Sequence, residues 1–237
     1  MDSSGSLAND YGKEKDFLKV LAATFGVSDK GSRAGVVTFS YYSEHSIKMN
    51  DHADLSSFNA AVDKIPLMGS TTRIDKSLRL TQNEMFSLLN GARPGVPKVL
   101  ILLTDGSQTQ DAGAEDPAVV ADELRKDGIN IIVVGIGQGV NKTELARIAG
   151  DADNAYSAAS FDELIGSEFV DKIKESGCKA GKCLTVFEVV TQCLAVIKLT
   201  MIFSKDANFF YNRVVFSSSV LGVSRFDFFA MVICRFQ

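Results

Sequence analysis

Residues 96–106 read VPKVLILLTDG, a continuous apolar run that ends in Asp-Gly. An apolar run of this length predicts a β-strand buried on both faces, which is the usual state of a strand in a parallel sheet. A second run of this kind, INIIVVGIG, occupies residues 129–137. Between the two runs, Asp116 and Pro117 supply a helix N-cap and a proline for the first helical turn. The region therefore predicts a strand–helix–strand unit with parallel strands.

The same alternation continues on both sides of this unit. Apolar periodicity and capping residues predict helices within 13–25, 55–65, 74–88, 141–150 and 160–177, and strands at 34–40, 45–49 and 154–158. Strands that are apolar on both faces need helices on both sides of the sheet. The predicted fold class is α/β, a doubly wound and mostly parallel sheet flanked by helices.

Composition and charge narrow the choice of partner. The chain of 237 residues is 46% apolar and 23% charged, close to average globular usage. Its formal net charge is −4, and Lys and Arg form no run or stripe that could neutralise many phosphates. We therefore expect no nucleic-acid partner.

A change in composition divides the chain in two. Residues 184–237 hold nine of the sixteen Phe and one of the nineteen Gly. We predict one domain over 1–177 and an atypical apolar tail over 178–237. One interpretation of the tail is appended sequence rather than a native domain. The stretch 184–203 approaches the length of a membrane span, but Glu188 and Lys198 would each be costly near the bilayer centre. These charges argue against membrane anchoring through the tail, which stays an open alternative.

Oxygen-bearing side chains follow three predicted strand ends or helix starts. They lie in Asp-Ser-Ser-Gly-Ser at 2–6, in Gly-Ser-Thr-Thr at 69–72, and at Asp105. In an α/β sheet, ligands bind at the carboxyl ends of the strands. The set offers two carboxylates and several hydroxyls, without His or Cys, and this donor chemistry suits a hard cation: Mg²⁺, or Mn²⁺ or Ca²⁺.

These residues carry a resemblance to a known family. Asp-x-Ser-x-Ser, a Gly-Ser-Thr-Thr loop that opens a helix, and a Leu-Thr-Asp-Gly strand end resemble the metal-ion-dependent adhesion site (MIDAS) of von Willebrand factor type A domains, including the inserted domains of integrins. Residues 134–164 are similar to the last third of that family. The resemblance implies that Ser4, Ser6 and Thr72 bind the metal directly, with Thr71 as the alternative to Thr72. It also implies that Asp2 and Asp105 act mostly through water.

The resemblance and the ligand chemistry together predict adhesion rather than catalysis. Neutral hydroxyls leave a divalent cation poorly neutralised, so the cation keeps affinity for an additional anionic oxygen. An Asp or Glu of an extracellular-matrix or cell-surface protein can supply that oxygen. The pattern offers neither a base nor a nucleophile within reach of a substrate, so we expect no enzyme. The resemblance implies an extracellular, secreted location.

Other interpretations of the same residues stay open. An intracellular scaffold or an ATPase-associated subunit can use this fold, as can a metal-free structural matrix domain. Each piece of the pattern can also be an ordinary turn or cap: Thr72 with Asp75 has the spacing of a helix N-cap. Asn141 fits both a helix cap and a glycosylation acceptor. A dinucleotide site at 135–139 is disfavoured because the glycine spacing lacks the third position of GxGxxG.

One departure from the family pattern concerns the first strand. In the family, Asp-x-Ser-x-Ser follows a long apolar strand in the middle of the sheet, whereas here Met1 directly precedes Asp2. We therefore expect the first central strand to be missing from this chain. A stretch of the tail such as LTVFEVV, 184–190, is a candidate to occupy the vacant position.

Overall fold

The structure is a computed structural model that describes residues 1–179. The predictions for the tail, namely membrane anchoring and a strand at 184–190, lie outside the described residues. The helices are α1 (Tyr11–Thr24), α2 (Leu55–Asp63), α3 (Ile74–Leu80), α4 (Pro117–Lys126), α5 (Lys142–Ala149), α6 (Phe161–Leu164) and α7 (Ser167–Lys179). The strands are β1 (Val36–Phe39), β2 (Ser43–Ile47), β3 (Lys98–Thr104), β4 (Ile129–Ile136) and β5 (Ala155–Ala158).

Three strands form the parallel sheet that the apolar runs predict. The order is β3-β4-β5. Leu102 lies opposite Val133, and Val134 lies opposite Tyr156. Helices cover both faces of this sheet, so the α/β class is confirmed.

The side chains of alternate residues of β4 pack into two different apolar cores. Ile131 and Val133 pack with α4 and α5 on one face, while Ile132 and Val134 pack with α1 and α7 on the other. All four side chains are fully buried. This explains why the strand is apolar along its whole length.

The other two strands, β1 and β2, pair with each other and are antiparallel. β1 and β2 form an antiparallel ribbon, with Thr38 opposite Glu44. The short connection Ser40–Tyr42 reverses the chain, and a parallel partner would need a much longer crossover. The predicted strand at 45–49 is accordingly found at Ser43–Ile47.

Two helices differ from their predicted extents. The helix predicted over 74–88 ends at Leu80 and continues as a π-helical turn, Thr81–Met85. The helix predicted over 160–177 is interrupted around Gly166, which separates α6 from α7. Within residues 1–179, no helix is long and apolar enough to cross a bilayer.

The amino terminus lies between β1 and β3. Asp2 forms a parallel bridge with Phe39 at the end of β1. On the other side, the Thr104 hydroxyl at the end of β3 donates to Asp2 Oδ2 at 2.7 Å. Met1–Ser3 therefore occupies a central position at the carboxyl-terminal edge of the strands, next to the segments that carry the predicted ligands.

Candidate metal site

Asp2 is held in place by hydrogen bonds with three neighbours, Glu14, Ser4 and Thr104. Its backbone N–H donates to Glu14 Oε1 at 3.0 Å. Its carboxylate accepts the Ser4 N–H at 2.9 Å and the Thr104 hydroxyl at 2.7 Å. The side chain is fully buried, and this burial raises the pKa of the Asp2 carboxyl, while the nearby Asp105 charge adds to the increase. A cation beside Asp2 would favour its ionised form.

The serines of the first segment lie together. The Ser4 and Ser6 hydroxyls are 3.0 Å apart. Ser4 is almost fully buried, whereas Ser6 is exposed. This pair places two of the predicted ligand oxygens at the edge of the sheet, with Ser6 facing solvent.

Backbone hydrogen bonds join the first segment to the Gly-Ser-Thr-Thr loop. The Gly5 N–H donates to the Ser70 carbonyl at 3.0 Å, and the Gly69 N–H donates to the Ser3 carbonyl at 2.8 Å. Gly69 and Ser70 both have positive φ, 73° and 75°. Glycine adopts this conformation without a steric cost, and for Ser70 it is uncommon. These two consecutive residues with positive φ turn the loop so that it contacts the first segment.

Thr72 in turn contacts the loop that follows β3. Its N–H donates to Thr109 Oγ1 at 3.2 Å, and its carbonyl accepts the Thr109 N–H at 2.8 Å. Thr72 is buried and Thr71 is exposed. The interpretation of Thr72 as a helix N-cap is wrong, because Arg73 occupies that position in α3.

Asp105 carries a carboxylate oxygen that has no hydrogen-bond partner within residues 1–179. Its Oδ1 atom is buried, and no hydrogen bond reaches it from residues 1–179. Leaving a buried carboxylate oxygen unbonded costs free energy, which a bound cation or water would recover. The orphaned oxygen therefore fits a metal site.

The five predicted ligands thus come from three segments that contact one another. Asp2, Ser4 and Ser6 are linked directly by hydrogen bonds. No hydrogen bond in the described part of the chain joins the Thr72 or Asp105 side chain to that trio. Nor do residues 1–179 contain a group of three His, Cys, Asp or Glu poised to hold a metal, as expected for a site with two carboxylates and three hydroxyls.

Two buried charged groups next to the site escape prediction from sequence. Glu14 lies in a run of charged residues but is fully buried, and burial raises the pKa of its carboxyl well above the ordinary value. Arg73 and Asp75 form a buried ion pair behind Thr72. The local sequence carries no signal for either, because charged residues near a helix start are usually exposed.

The fold and these contacts define a class of protein: doubly wound α/β domains with a cluster of oxygen-bearing side chains at the carboxyl edge of the sheet. The family model of the von Willebrand factor type A domain matches residues 1–171. The chain belongs to this family.

Relatives in the family include matrix proteins. The chain is 28% identical over 183 residues to von Willebrand factor A domain-containing protein 2 of Xenopus laevis, covering 77% of this chain and 22% of that protein. It is 35% identical over 165 residues to the collagen alpha-6(VI) chain of Mus musculus, covering 69% of this chain and 7% of that protein. The chain therefore spans less than a quarter of the length of either relative.

A solved structure has the same architecture. Proximal thread matrix protein 1 from the mussel byssus superposes with a TM-score of 0.70 at 30% identity, over 75% of this chain and 46% of that chain. Another structure of that mussel protein, described with a zinc-occupied MIDAS motif, superposes with a TM-score of 0.66, also at 30% identity, over 75% of this chain and 44% of that chain.

Proposed function

We propose that this domain is a divalent-metal-dependent adhesion module. It binds an Asp or Glu of an extracellular-matrix or cell-surface protein through a metal ion held by Asp2, Ser4, Ser6, Thr72 and Asp105. The observation that carries the proposal is the buried Oδ1 of Asp105, which receives no hydrogen bond from residues 1–179, near the Asp2 carboxylate. A metal ion between these segments would satisfy that oxygen and lower the free energy of ionising Asp2.

The donor set favours Mg²⁺, with Mn²⁺ or Ca²⁺ as substitutes. All five side chains offer oxygen, and three of them are neutral hydroxyls. The hydroxyls add no charge. The two carboxylates are expected to act mostly through water, and at that distance they neutralise the divalent cation only in part. The bound ion therefore retains affinity for a carboxylate of the partner. The site supplies no general base or nucleophile, so the proposed activity is binding without catalysis.

The relatives support an extracellular setting. One is a collagen chain, and the mussel protein is named as a thread matrix protein. A domain that bridges matrix proteins through a metal ion would suit both contexts. Asn141, which is exposed at the start of α5, would be available for glycosylation in a secreted chain.

Thermal unfolding with and without metal tests the proposal. We expect Mg²⁺ to raise the melting temperature of the full chain and EDTA to reverse the shift, since a ligand of the native state stabilises it by about 2.7 kcal/mol at a hundred times its Kd. Asp105→Ala should abolish the shift. Asp127→Ala, which replaces an exposed aspartate at the end of α4, should retain it. No shift for the native chain would indicate a metal-free structural domain.

Selection from a displayed peptide library tests the partner chemistry. We expect Mg²⁺-dependent binders to be enriched in Asp or Glu, and to be released by EDTA. Binders that survive EDTA, or that bind Asp105→Ala equally well, would contradict recognition of the partner through the metal.

A further inference from the structure

A short hairpin tip, Ser40–Tyr42, joins β1 to β2 beside the proposed metal site. β1 ends at Phe39, whose carbonyl accepts the Ser3 N–H at 2.7 Å. The next carbonyl along the chain, that of Ser40, accepts the Arg73 N–H at 2.9 Å. The hairpin tip therefore starts next to the first ligand segment and contacts the loop before α3. It lies at the same edge of the sheet as the predicted ligands.

Two tyrosines at the hairpin tip are exposed. The exposed fraction is 39% for Tyr41 and 68% for Tyr42. Their rings meet edge to face, with centroids 4.8 Å apart. Tight turns are usually built from Gly, Asn, Asp, Ser or Pro, whereas Tyr is enriched where proteins contact one another. The hairpin tip therefore has the composition of a contact surface.

Lys76, in the first turn of α3, is fixed against the hairpin tip. Its ammonium group donates to the Tyr41 carbonyl at 2.7 Å. The same group lies 3.9 Å from the centroid of the Tyr41 ring and 5.4 Å from that of the Tyr42 ring. The carbonyl takes one of the three ammonium protons, so two remain for another acceptor. The position of this cation is therefore set by the tip, while its bonding capacity is only partly used.

The other charges around Lys76 are already matched. Arg73 and Arg79 line the same shallow groove, and each of them bonds to two carboxylates. The pairs are Arg73 with Asp75 and Asp111, and Arg79 with Glu115 and Glu123. Glu84, also in the groove, faces His45 at 3.1 Å. Lys76 forms no ion pair with a carboxylate of residues 1–179. Its charge therefore suits an acidic group from another molecule.

We propose that Lys76, Tyr41 and Tyr42 form a second contact for the partner, which receives a second carboxylate from the same acidic segment that binds the metal. This proposal rests on the metal-dependent adhesion proposed above. The Lys76 ammonium group would donate to the carboxylate, and the tyrosine rings would pack against the partner chain between its two acidic residues. The preferred partner is therefore a segment with a pair of acidic residues rather than a single one.

The position of Lys76 limits the spacing of that pair. Thr72 and Lys76 are four residues apart, a span of at most about 14 Å, and the first turn of α3 shortens it. An extended partner segment advances about 3.3 Å per residue. We therefore expect the second acidic residue about two to four positions from the one that binds the metal.

Selection from a displayed library of random linear peptides in Mg²⁺ tests the proposal on the full chain. With the native chain, we expect a second Asp or Glu at a constant spacing from the first, and less enrichment of it in high salt. Lys76→Glu reverses the charge at the contact. Its binders should keep the first acidic residue and carry Lys or Arg at the second position. Lys48→Glu makes the same change at an exposed lysine after the far end of β2, and should select the native pattern.

Calorimetry with a selected two-acid peptide measures the size of the effect. Lys76→Gln should bind this peptide about two- to fivefold more weakly than the native chain does, the range of an exposed ion pair. A peptide whose second acid is replaced by its amide should bind both proteins equally. Both Lys76 variants should keep the Mg²⁺-induced rise in melting temperature, because Lys76 is not a predicted ligand.

The outcomes separate this proposal from the metal-dependent function. Mg²⁺-dependent binders with a single acidic residue, or selection of the same acidic pair by Lys76→Glu, would overturn the second contact and leave the metal-dependent function intact. Equal binding of the two-acid peptide to the native chain and Lys76→Gln would do the same. Absence of any Mg²⁺-dependent binder would contradict the metal-dependent function and the second contact together.

Discussion

The guanidinium of Arg73 and the carboxylate of Asp75 face each other in a bidentate pair, with Nε to Oδ1 at 2.8 Å and Nη2 to Oδ2 at 2.6 Å. Only 4% and 2% of the two side chains are exposed. Asp75 also accepts hydrogen bonds from the Gln108 side chain and the Glu115 N–H, and Arg73 also bonds to Asp111. The pair therefore ties the loop that carries Thr72 to the loop that carries Asp105.

Removing Arg73 should destabilise the domain and weaken metal binding together. In Arg73→Ala, the Asp75 carboxylate stays buried without its cation, a change that typically costs about 3–5 kcal/mol. We expect urea unfolding to report a loss of this size. Calorimetric titration should also show weaker Mg²⁺ binding, because Thr72 directly precedes Arg73 in the loop.

A double-mutant cycle checks that the two side chains act as a pair. Arg73→Ala with Asp75→Ala should cost less than the sum of the two single changes, because the second substitution removes the charge that the first leaves unpaired. Additive losses would show that the contact contributes little, and that each residue stabilises the loops separately.

The stability of the domain should depend on pH through Asp75. Burial alone would raise the pKa of this carboxyl, but hydrogen bonds from Arg73, Gln108 and the Glu115 N–H bring it down from 3.8 to about 2. A lowered folded pKa contributes stability above the unfolded pKa, and this stability is lost as the pH falls towards about 2. The contribution is about 2 kcal/mol, from ~1.4 kcal/mol per pKa unit.

Comparison with Asp75→Asn isolates this effect. Urea unfolding at about pH 5 and about pH 2.5 should show a larger fall for the native chain than for the variant. Asp2 and Glu14 have raised pKa values, so their protonation contributes in the opposite direction. Because both proteins contain them, their contribution cancels in the difference. Parallel pH profiles would show that the Asp75 pKa is close to its ordinary value.

The parts of the fold that sequence predicted are those with local signals. β3 and β4 are continuous apolar runs, and Asp116 and Asn141 cap α4 and α5 with the expected side-chain hydrogen bonds. The direction of β2 follows from the short connection Ser40–Tyr42, and the interruption between α6 and α7 falls around Gly166. Periodicity within a segment carries no information about either.

The candidate site, like the fold, has parts that sequence could predict and parts that it could not. The three segments that carry the predicted ligands could be located from their resemblance to the family pattern, and the structure brings these segments into contact. The supports could not, since the pairing of Arg73 with Asp111 and the burial of Glu14 under Asp2 arise only when separate loops come together. The role of the five ligands in metal binding stays a prediction.

Adjacent threonines offer a matched test of the ligand assignment. Thr72 is buried and bonded to the loop after β3, whereas Thr71 is exposed. We expect Thr72→Ala to lose most of the Mg²⁺-induced rise in melting temperature and Thr71→Ala to keep it. Thr72→Ser, which retains the hydroxyl, should restore binding. The reverse ranking of the two alanine variants would assign the ligand to Thr71.

Thr104 should control metal affinity without being a ligand. Its buried hydroxyl donates to Asp2 Oδ2 at 2.7 Å and fixes the orientation of that carboxylate. Thr104→Val keeps the shape of the side chain but removes the donor, and a hydrogen bond to a charged group is worth about 1.5–3 kcal/mol. We expect a loss of stability of this order, weaker Mg²⁺ binding, and a further rise in the pKa of Asp2, since the hydrogen bond from Thr104 lowers it in the native chain.

A substitution of Thr38 is the control that separates an effect on the orientation of the Asp2 carboxylate from a general loss of stability. It is equally buried, in β1, and its hydroxyl bonds to Ser46 rather than to a predicted ligand. Thr38→Val should also lower the free energy of unfolding, but Mg²⁺ affinity measured by calorimetry at a temperature where both variants are folded should stay at the native value. Thr104→Ser should recover affinity, because it restores the donor to Asp2. Equal Mg²⁺ affinities for Thr104→Val and Thr38→Val would exclude an orienting role for Thr104.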